Sequence, residues 1–313
     1  MSHRGYLNHS GRIHPSLSDL PWGFPHGFLG LDEDISNFKT CKVVIVPVPY
    51  ESTTSYEGGA QKGPSAIIEA SRHIELYDQE LDTSPSNVGI HTFPDLRLIR
   101  DSVPGAMDEL ETAYARVVEV IDDRFLIMLG GEHTISFPAV RTQASKVDGD
   151  MSVLQLDAHL DLRTEFEGST YSHACAMTKV VEVADLVSVG VRGVSEEEAK
   201  KANTNDNITL IWSDEMQSND AWMDRAIGAL KSNVYLTIDV DYFDPSLVPS
   251  TGTPEPGGGD WYRTLKFLRR VFQERTVVAC DVVELAPNPA VHAPDFLIAK
   301  LVYKLIGYRF AKE

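Results

Sequence analysis

The sequence predicts an α/β fold built on a parallel β-sheet. From residue 41 onward, short apolar runs alternate with longer amphipathic stretches, the pattern of repeated strand–helix units. Most of the short runs are rich in Val, Ile and Leu without polar alternation, as expected of strands buried on both faces. Three of the runs also end in Asp, Glu or His. In a parallel sheet all strand C-termini meet at one edge, and that edge binds ligands.

The elements follow in order. Residues 1–40 lack helical or strand periodicity and contain His3, His9, His14 and His26. Their spacing matches no ligand template, so the segment reads as an irregular arm, with a metal-binding tail as the alternative. Val43–Val48 is the first strand. Pro64 fits the first position of a helix over Pro64–Arg72, where its missing N–H costs nothing. Val88–Ile90 is a short further strand. Val103–Asp123 carries a helical stripe of Leu110, Tyr114, Val117, Val118 and Ile121. The strands Phe125–Leu129, Ser152–Leu156 and Leu186–Val191 come next, then a helix at Ser195–Asn203 opened by the Ser195/Glu198 capping box. Ile208–Trp212 is a strand, and Asp220 is placed to cap the helix Ala221–Leu230. The strand Val234–Ile238 precedes a helix Trp261–Phe272, which Asp260 is placed to cap. After the strand Val277–Val283, a last helix, Pro294–Tyr308, presents Leu297, Leu301 and Leu305 at i, i+4, i+8. No linker interrupts 41–313, so these residues form one domain. An open three-layer sandwich and a closed eight-fold barrel share this local pattern, and periodicity does not separate them.

Composition narrows the function. The 313 residues are 42% apolar and 24% charged, which is globular. With 28 basic and 46 acidic residues the formal charge is −18. That field repels a phosphate backbone, so no nucleic-acid partner is expected, and it attracts a small cation. Cys41, Cys175 and Cys280 form no CxxC pair and suit a reducing compartment. No run approaches the roughly 20 apolar residues of a membrane span, and residues 1–40 lack the apolar core of a signal peptide. A cytoplasmic protein without a membrane partner is expected.

The chemistry lies in three segments. These are Phe125-Leu-Ile-Met-Leu-Gly-Gly-Glu-His133, Val153-Leu-Gln-Leu-Asp-Ala-His-Leu-Asp161 and Val234-Tyr-Leu-Thr-Ile-Asp-Val-Asp-Tyr-Phe-Asp244. Asp157, His159 and Asp161 stand at i, i+2, i+4, and Asp239 and Asp241 at i, i+2, so on extended backbone each set shares a face. Aspartates gathered at buried strand ends are costly unless neutralised, and only Arg163 is near in sequence. Four aspartates (Asp157, Asp161, Asp239, Asp241) and two histidines (His133, His159) around two divalent ions would balance four negative charges with four positive ones. Oxygen and imidazole donors without thiolate suit manganese. Two metals about 3.5–4 Å apart activate water for hydrolysis. His173, in the loop Gly168–His173, reads as a proton shuttle or an ordinary loop histidine. Glu284, ending the last strand, reads as a receptor for a cationic group or a local ion-pair partner. Asp244, before Pro245, reads as a turn-former, and Gly257-Gly-Gly259 as a loop rather than a phosphate cradle. No nucleophile elbow, P-loop or dinucleotide fingerprint is present.

Taken together, Gly130-Gly-Glu-His133, Asp157-Ala-His-Leu-Asp161, Asp239-Val-Asp-Tyr-Phe-Asp-Pro245 and the surroundings of Glu284 resemble the arginase/agmatinase (ureohydrolase) family. Gly58-Gly-Ala-Gln-Lys-Gly-Pro64, followed by Ile67-Ile-Glu-Ala-Ser71, adds to the resemblance, which extends over residues 41–308. It implies a three-layer α/β/α sandwich with an eight-stranded parallel sheet. It implies two Mn²⁺ per subunit on His133, Asp157, His159, Asp161, Asp239 and Asp241. It also implies that His173 shuttles protons and Glu284 holds the guanidinium, which is hydrolysed to urea and an amine. Tyr171-Ser-His173, Thr251-Gly-Thr-Pro-Glu-Pro-Gly257 and the long N-terminal segment are most similar to the agmatinase branch, implying a homo-oligomer, trimer or hexamer. Glu132 stands where aspartate is commoner, a departure expected to matter little beside the ligand His133. Ala174-Cys175 stands where Gly-Thr is typical of the family, next to the substrate pocket.

The expected reaction is agmatine to putrescine and urea. The loop 165–173 carries Glu165 and Glu167 and no Lys or Arg, so a carboxylate-tailed guanidine such as arginine or 4-guanidinobutyrate is expected to be repelled there. Another guanidine hydrolase activity, or a non-catalytic metal-binding role, is the alternative.

Overall fold

The structure is a computed structural model, and it describes residues 26–311. Eight strands form one sheet: β1 (Val43–Val48), β2 (Ile90–Thr92), β3 (Phe125–Gly130), β4 (Met151–Leu156), β5 (Asp185–Val191), β6 (Ile208–Trp212), β7 (Asn233–Asp239) and β8 (Thr276–Val283). Their spatial order is β2-β1-β3-β8-β7-β4-β5-β6, and every pairing is parallel. The sheet is open, which decides between sandwich and barrel. The helices are α1 (Glu33–Ser36), α2 (Gly63–Ser71), α3 (Val103–Ile121), α4 (Ser136–Lys146), α5 (Ala176–Val180), α6 (Glu196–Thr204), α7 (Ser213–Ser218), α8 (Ala221–Ala229), α9 (Trp261–Glu274) and α10 (Ala293–Phe310).

Two cores sandwich the sheet. Val43, Ile45, Ile127, Leu129, Leu236 and Ile238 point to one side, against α2 and α7–α10. Val44, Val46, Leu126, Met128, Val153 and Tyr235 point to the other, against α3–α6. Neighbouring residues of one strand thus feed opposite layers, which is why these strands read as unbroken apolar runs.

Several local readings need correction. The edge strand is Ile90–Thr92, because Pro85–Val88 turns as a 3-10 helix. Asp220 does not cap α8 with its side chain. Its carboxylate is drawn instead to Arg263 and Lys266 at 2.8 and 2.6 Å, while Asn219 Oδ1 accepts from Ala221 N. Asp260 does cap α9, accepting from Arg263 N at 3.0 Å, and the Ser195/Glu198 capping box is formed. Within the segment expected to be an irregular arm, residues 28–30 form a 3-10 turn and 33–36 a helical turn, with Phe28, Leu29 and Leu31 buried. His3, His9 and His14 lie outside the described residues. No helix among the described residues is long and apolar enough to cross a membrane.

The sheet order positions the site. β3, β8, β7 and β4 are consecutive and central. Their register sets Leu129 beside Val282, Asp239 beside Val283 and Leu156 beside Ile238. The residues following these strands therefore emerge level with one another: His133, Glu284, Asp241 and Asp157–Asp161.

Candidate metal centre and cavity

His133 opens a 3-10 turn after β3 and is fully buried. Its Nδ1 lies 3.1, 3.0 and 3.5 Å from carboxylate oxygens of Asp157, Asp161 and Asp239, yet has no hydrogen-bond partner. His159 Nδ1 lies 2.9 Å from Asp241 Oδ2 and 3.7 Å from Asp157 Oδ1. Two groups of donor atoms result, His133/Asp157/Asp239 and Asp157/His159/Asp241, each close enough to converge on one ion. Asp157 belongs to both. Asp161 faces the first group through His133.

The backbone shapes these groups. Asp241 Oδ1 accepts from Ala158 N at 2.9 Å, and Asp157 Oδ1 from His159 N at 2.6 Å. Asp239 Oδ1 accepts from Asp241 N at 2.8 Å. Gln155 holds Asp157 Oδ2 at 2.8 Å. These bonds fix one oxygen or lone pair of each carboxylate and leave others directed inward.

Electrostatics argue for a cation. Burial raises the pKa of Asp239 well above the carboxylate range, reinforced by the charges of Asp241 and Asp157. Burial also raises Asp161, with Asp157 adding to it. Burial opposes charging of His133, but the surrounding carboxylates override it and lift its pKa well above the usual value. His159 is pushed up to about 12, the Asp241 charge overcoming burial. Burial opposes ionisation of Asp157 too, but His133 and His159 override it and pull its pKa below the carboxylate range; carboxylates crowded in this way, two of them resisting ionisation, around an orphaned imidazole nitrogen are the environment a divalent cation relieves. The donor set fits one.

A cavity of about 330 Å³ opens over this centre. His159, Asp161, Asp239, Asp241, His173 and Glu284 all line it. Glu284 and Asp161 hold φ of 65° and 51°, the left-handed region that L-residues avoid. Glu284 Oε1 accepts from His133 N at 2.6 Å. Burial pushes the Glu284 carboxyl pKa well up, with the Glu132 charge next in weight.

His173 is held by the loop after β1. Its N–H donates to Thr53 Oγ1 at 2.9 Å, and its Nδ1 lies 3.2 Å from the same oxygen. Thr53 Oγ1 also donates to Glu132 Oε1 at 3.1 Å. Glu132 is completely buried, and its Oε2 accepts from Ser52 N and Thr53 N at 2.8 and 2.7 Å. Glu132 therefore clamps Ser52 and Thr53, the segment whose threonine holds His173. The adjoining backbone is equally tight, since a Cβ at Gly131 would meet Tyr50 O at 1.9 Å.

The acids expected to screen the substrate are also different ones. Phe166 and Arg163 line the cavity, whereas Glu165 and Glu167 are exposed outside it. The acids outside the metal cluster and Glu284 that do line it are Glu57, Glu198 and Glu255. Glu198 is committed to Leu162 N and Ser195. Asp244 makes a turn, accepting from Ser246 N and Gly257 N, and the Ser246 hydroxyl, with these backbone hydrogen bonds, pulls its pKa down to about 2. Gly258 and Gly259 press on residues 242–244, where a Cβ would meet atoms at 2.5 and 2.4 Å, so that run is packing.

Sequence reasoning missed three groups. Arg192 donates to the carbonyls of Gly190, Asp241, Glu255 and Pro256 at 2.9, 2.7, 2.7 and 3.0 Å. Thr237 and Asp281 lie behind His133. A charged residue inside the apolar run Val277–Val283 was the available signal for Asp281.

The comparisons agree with this arrangement. An N(1)-aminopropylagmatine ureohydrolase of Synechocystis sp. is 41% identical over 281 residues, 88% of this chain and 92% of that protein. An agmatinase of Pyrococcus horikoshii is 32% identical over 277 residues, covering 87% and 93%. The crystal structure of proclavaminate amidino hydrolase from Streptomyces clavuligerus superposes with a TM-score of 0.81 at 25% identity, covering 93% of this chain and 98% of that one. The family profile described as the arginase family matches residues 41–307, and with two carboxylate–histidine clusters at the C-terminal edge of an open parallel sheet, the chain belongs to the arginase family.

Proposed function

We propose that this chain is a ureohydrolase with two manganese ions, and that it cleaves guanidines bearing a cationic amine tail. His133, Asp157, Asp161 and Asp239 would hold one ion, and Asp157, His159 and Asp241 the other. The observation that carries the reading is the buried, unpartnered His133 Nδ1 facing three carboxylates. Two such ions supply an activated water for attack on the guanidinium carbon. Glu284, which lines the cavity, binds and orients the planar guanidinium. His173, steadied by Thr53, hands a proton to the departing amine nitrogen. The balance is one guanidinium and one water to urea and the protonated amine. A trimer or hexamer of this chain belongs to the same proposal, and sedimentation checks it.

Agmatine, expected from the sequence, is the shortest substrate of this class. Its aminopropyl-extended form is favoured by the 41% identity to an enzyme named for it. The cavity supports the same choice, because Glu57 and Glu255 line it and can attract the extra ammonium. Hydrolysis would then give urea and a triamine. The test compares kcat/KM for N(1)-aminopropylagmatine, agmatine, arginine and 4-guanidinobutyrate on one manganese-loaded preparation. The two amine-tailed substrates are expected to lead, the longer one first. A tenfold lead for arginine or guanidinobutyrate, about 1.4 kcal/mol, refutes the substrate class. Two bound ions with no urea from any guanidine refutes the enzyme reading.

A further inference from the structure

Behind His133, away from the cavity, lies a chain of hydrogen bonds with only one consistent direction once Asp281 is ionised. Asp281, on β8, and Thr237, on β7, are register partners and both completely buried. Tyr235 OH donates to Asp281 Oδ2 at 2.7 Å, and Thr237 Oγ1 donates to Asp281 Oδ1 at 2.6 Å. His133 Nε2 lies 2.9 Å from Thr237 Oγ1. A carboxylate only accepts, and a threonine hydroxyl has a single proton. With that proton given to Asp281, Thr237 Oγ1 meets His133 as an acceptor, so Nε2 must carry the hydrogen. The neutral ring, the form a metal binds, has one N–H, so with Nε2 holding it Nδ1 offers its lone pair. That is the atom found without a hydrogen bond among Asp157, Asp161 and Asp239.

We propose that Thr237 and Asp281 are positioning residues that fix the tautomer of His133, so that Nδ1 is presented as a metal donor. The inference rests on the metal centre proposed above and adds two residues to it. The hydroxyl is the critical part, because it transmits the polarity of Asp281 to the ring. The neighbouring Ser136 Oγ lies 3.4 Å from Thr237 Oγ1 and also hydrogen-bonds Asp281, so it belongs to the same network. Replacing the acid by its amide should do more than weaken the chain. Tyr235 OH still requires an acceptor, so the amide oxygen turns toward it and the NH₂ group faces Thr237. Thr237 then accepts, turns its own proton to His133 Nε2, and drives the ring hydrogen onto Nδ1.

The test uses the full chain stripped of metal, with Mn²⁺ affinity measured by equilibrium dialysis and the ring followed by ¹⁵N imidazole shifts over a pH series that reaches the neutral imidazole. Thr237→Val and Asp281→Asn should each weaken Mn²⁺ binding about 10–100-fold, the usual effect of losing such a partner, while Thr237→Ser stays within threefold of wild type. Asp281→Asn should move the His133 signals to the Nδ1–H form, a change that a merely structural role does not produce. Wild-type affinity in Thr237→Val or Asp281→Asn, or an unchanged ring signature in Asp281→Asn, overturns the proposal. If Thr237→Val does not fold by circular dichroism, the near-isosteric Asp281→Asn decides alone. A wild-type chain that binds no Mn²⁺ would instead bring down the metal-centre reading.

Discussion

Replacing Arg192 by Ala tests how strongly one guanidinium organises the site. Arg192 gathers carbonyls from the end of β5, from Asp241 after β7, and from Glu255 and Pro256 at the cavity mouth. Gly190 and Asp241 are buried, whereas Glu255 is half-buried and Pro256 exposed. Water can replace the donor at the mouth but not at the interior carbonyls, of which Gly190 and Asp241 hold the short bonds and Tyr242 and Phe243 lie at 3.4 Å. An orphaned buried acceptor costs about 1–3 kcal/mol, so the loss should be about 2–6 kcal/mol. Against a typical total of about 5–15 kcal/mol, the variant still folds but is visibly weakened. Arg192→Lys should recover only part of this, since an ammonium is a point donor and lacks the planar fork. Urea unfolding of the metal-free chain at fixed protein concentration gives the number. A loss below about 1 kcal/mol in Arg192→Ala would show that the carbonyls find other donors and that the organising role is misplaced.

Three further outcomes are expected. Asp241→Asn should lower metal content and activity together, as elemental analysis after dialysis would show, and full manganese retention contradicts its place among the ligands. His173→Ala should keep both ions and lose about 10²–10⁴-fold in kcat, with Thr53→Val losing less because it only loosens the ring; wild-type turnover in His173→Ala returns that residue to a passive role. Gly131→Ala should fail to accumulate as folded protein, because the added Cβ would lie 1.9 Å from the Tyr50 carbonyl, and a wild-type circular dichroism spectrum and melting midpoint would contradict the contact.

The strands were legible because both faces of each are covered, so burial wrote itself into uninterrupted apolar runs such as Val43–Val48. Helix α10 was legible at Leu301 and Leu305, but it is buried on more than one face, from Ile298 to Tyr308. Helix α4 was missed because most of its residues are buried, which erases the amphipathic stripe. The short edge strand β2 was placed two residues early because only three residues pair. Sandwich and barrel could not be told apart, since strand order is decided by contacts far apart in the chain. The metal-facing residues were legible as acids and imidazoles at strand ends. The residues that hold them were not, because Thr53, Glu132 and Arg192 act through partners 49 to 120 positions away.

Asp161 and Glu284 both line the cavity with left-handed backbone. That conformation costs an L-residue of order 1–2 kcal/mol and costs glycine almost nothing. Each position also confines a carboxyl group that its surroundings discourage from ionising. On the roles proposed for them, heat resistance and reactivity make opposite demands on the same two residues. A library of this chain screened only for survival at high temperature should drift toward glycine at 161 and 284, and what survived would be a durable, inert relative of the starting protein.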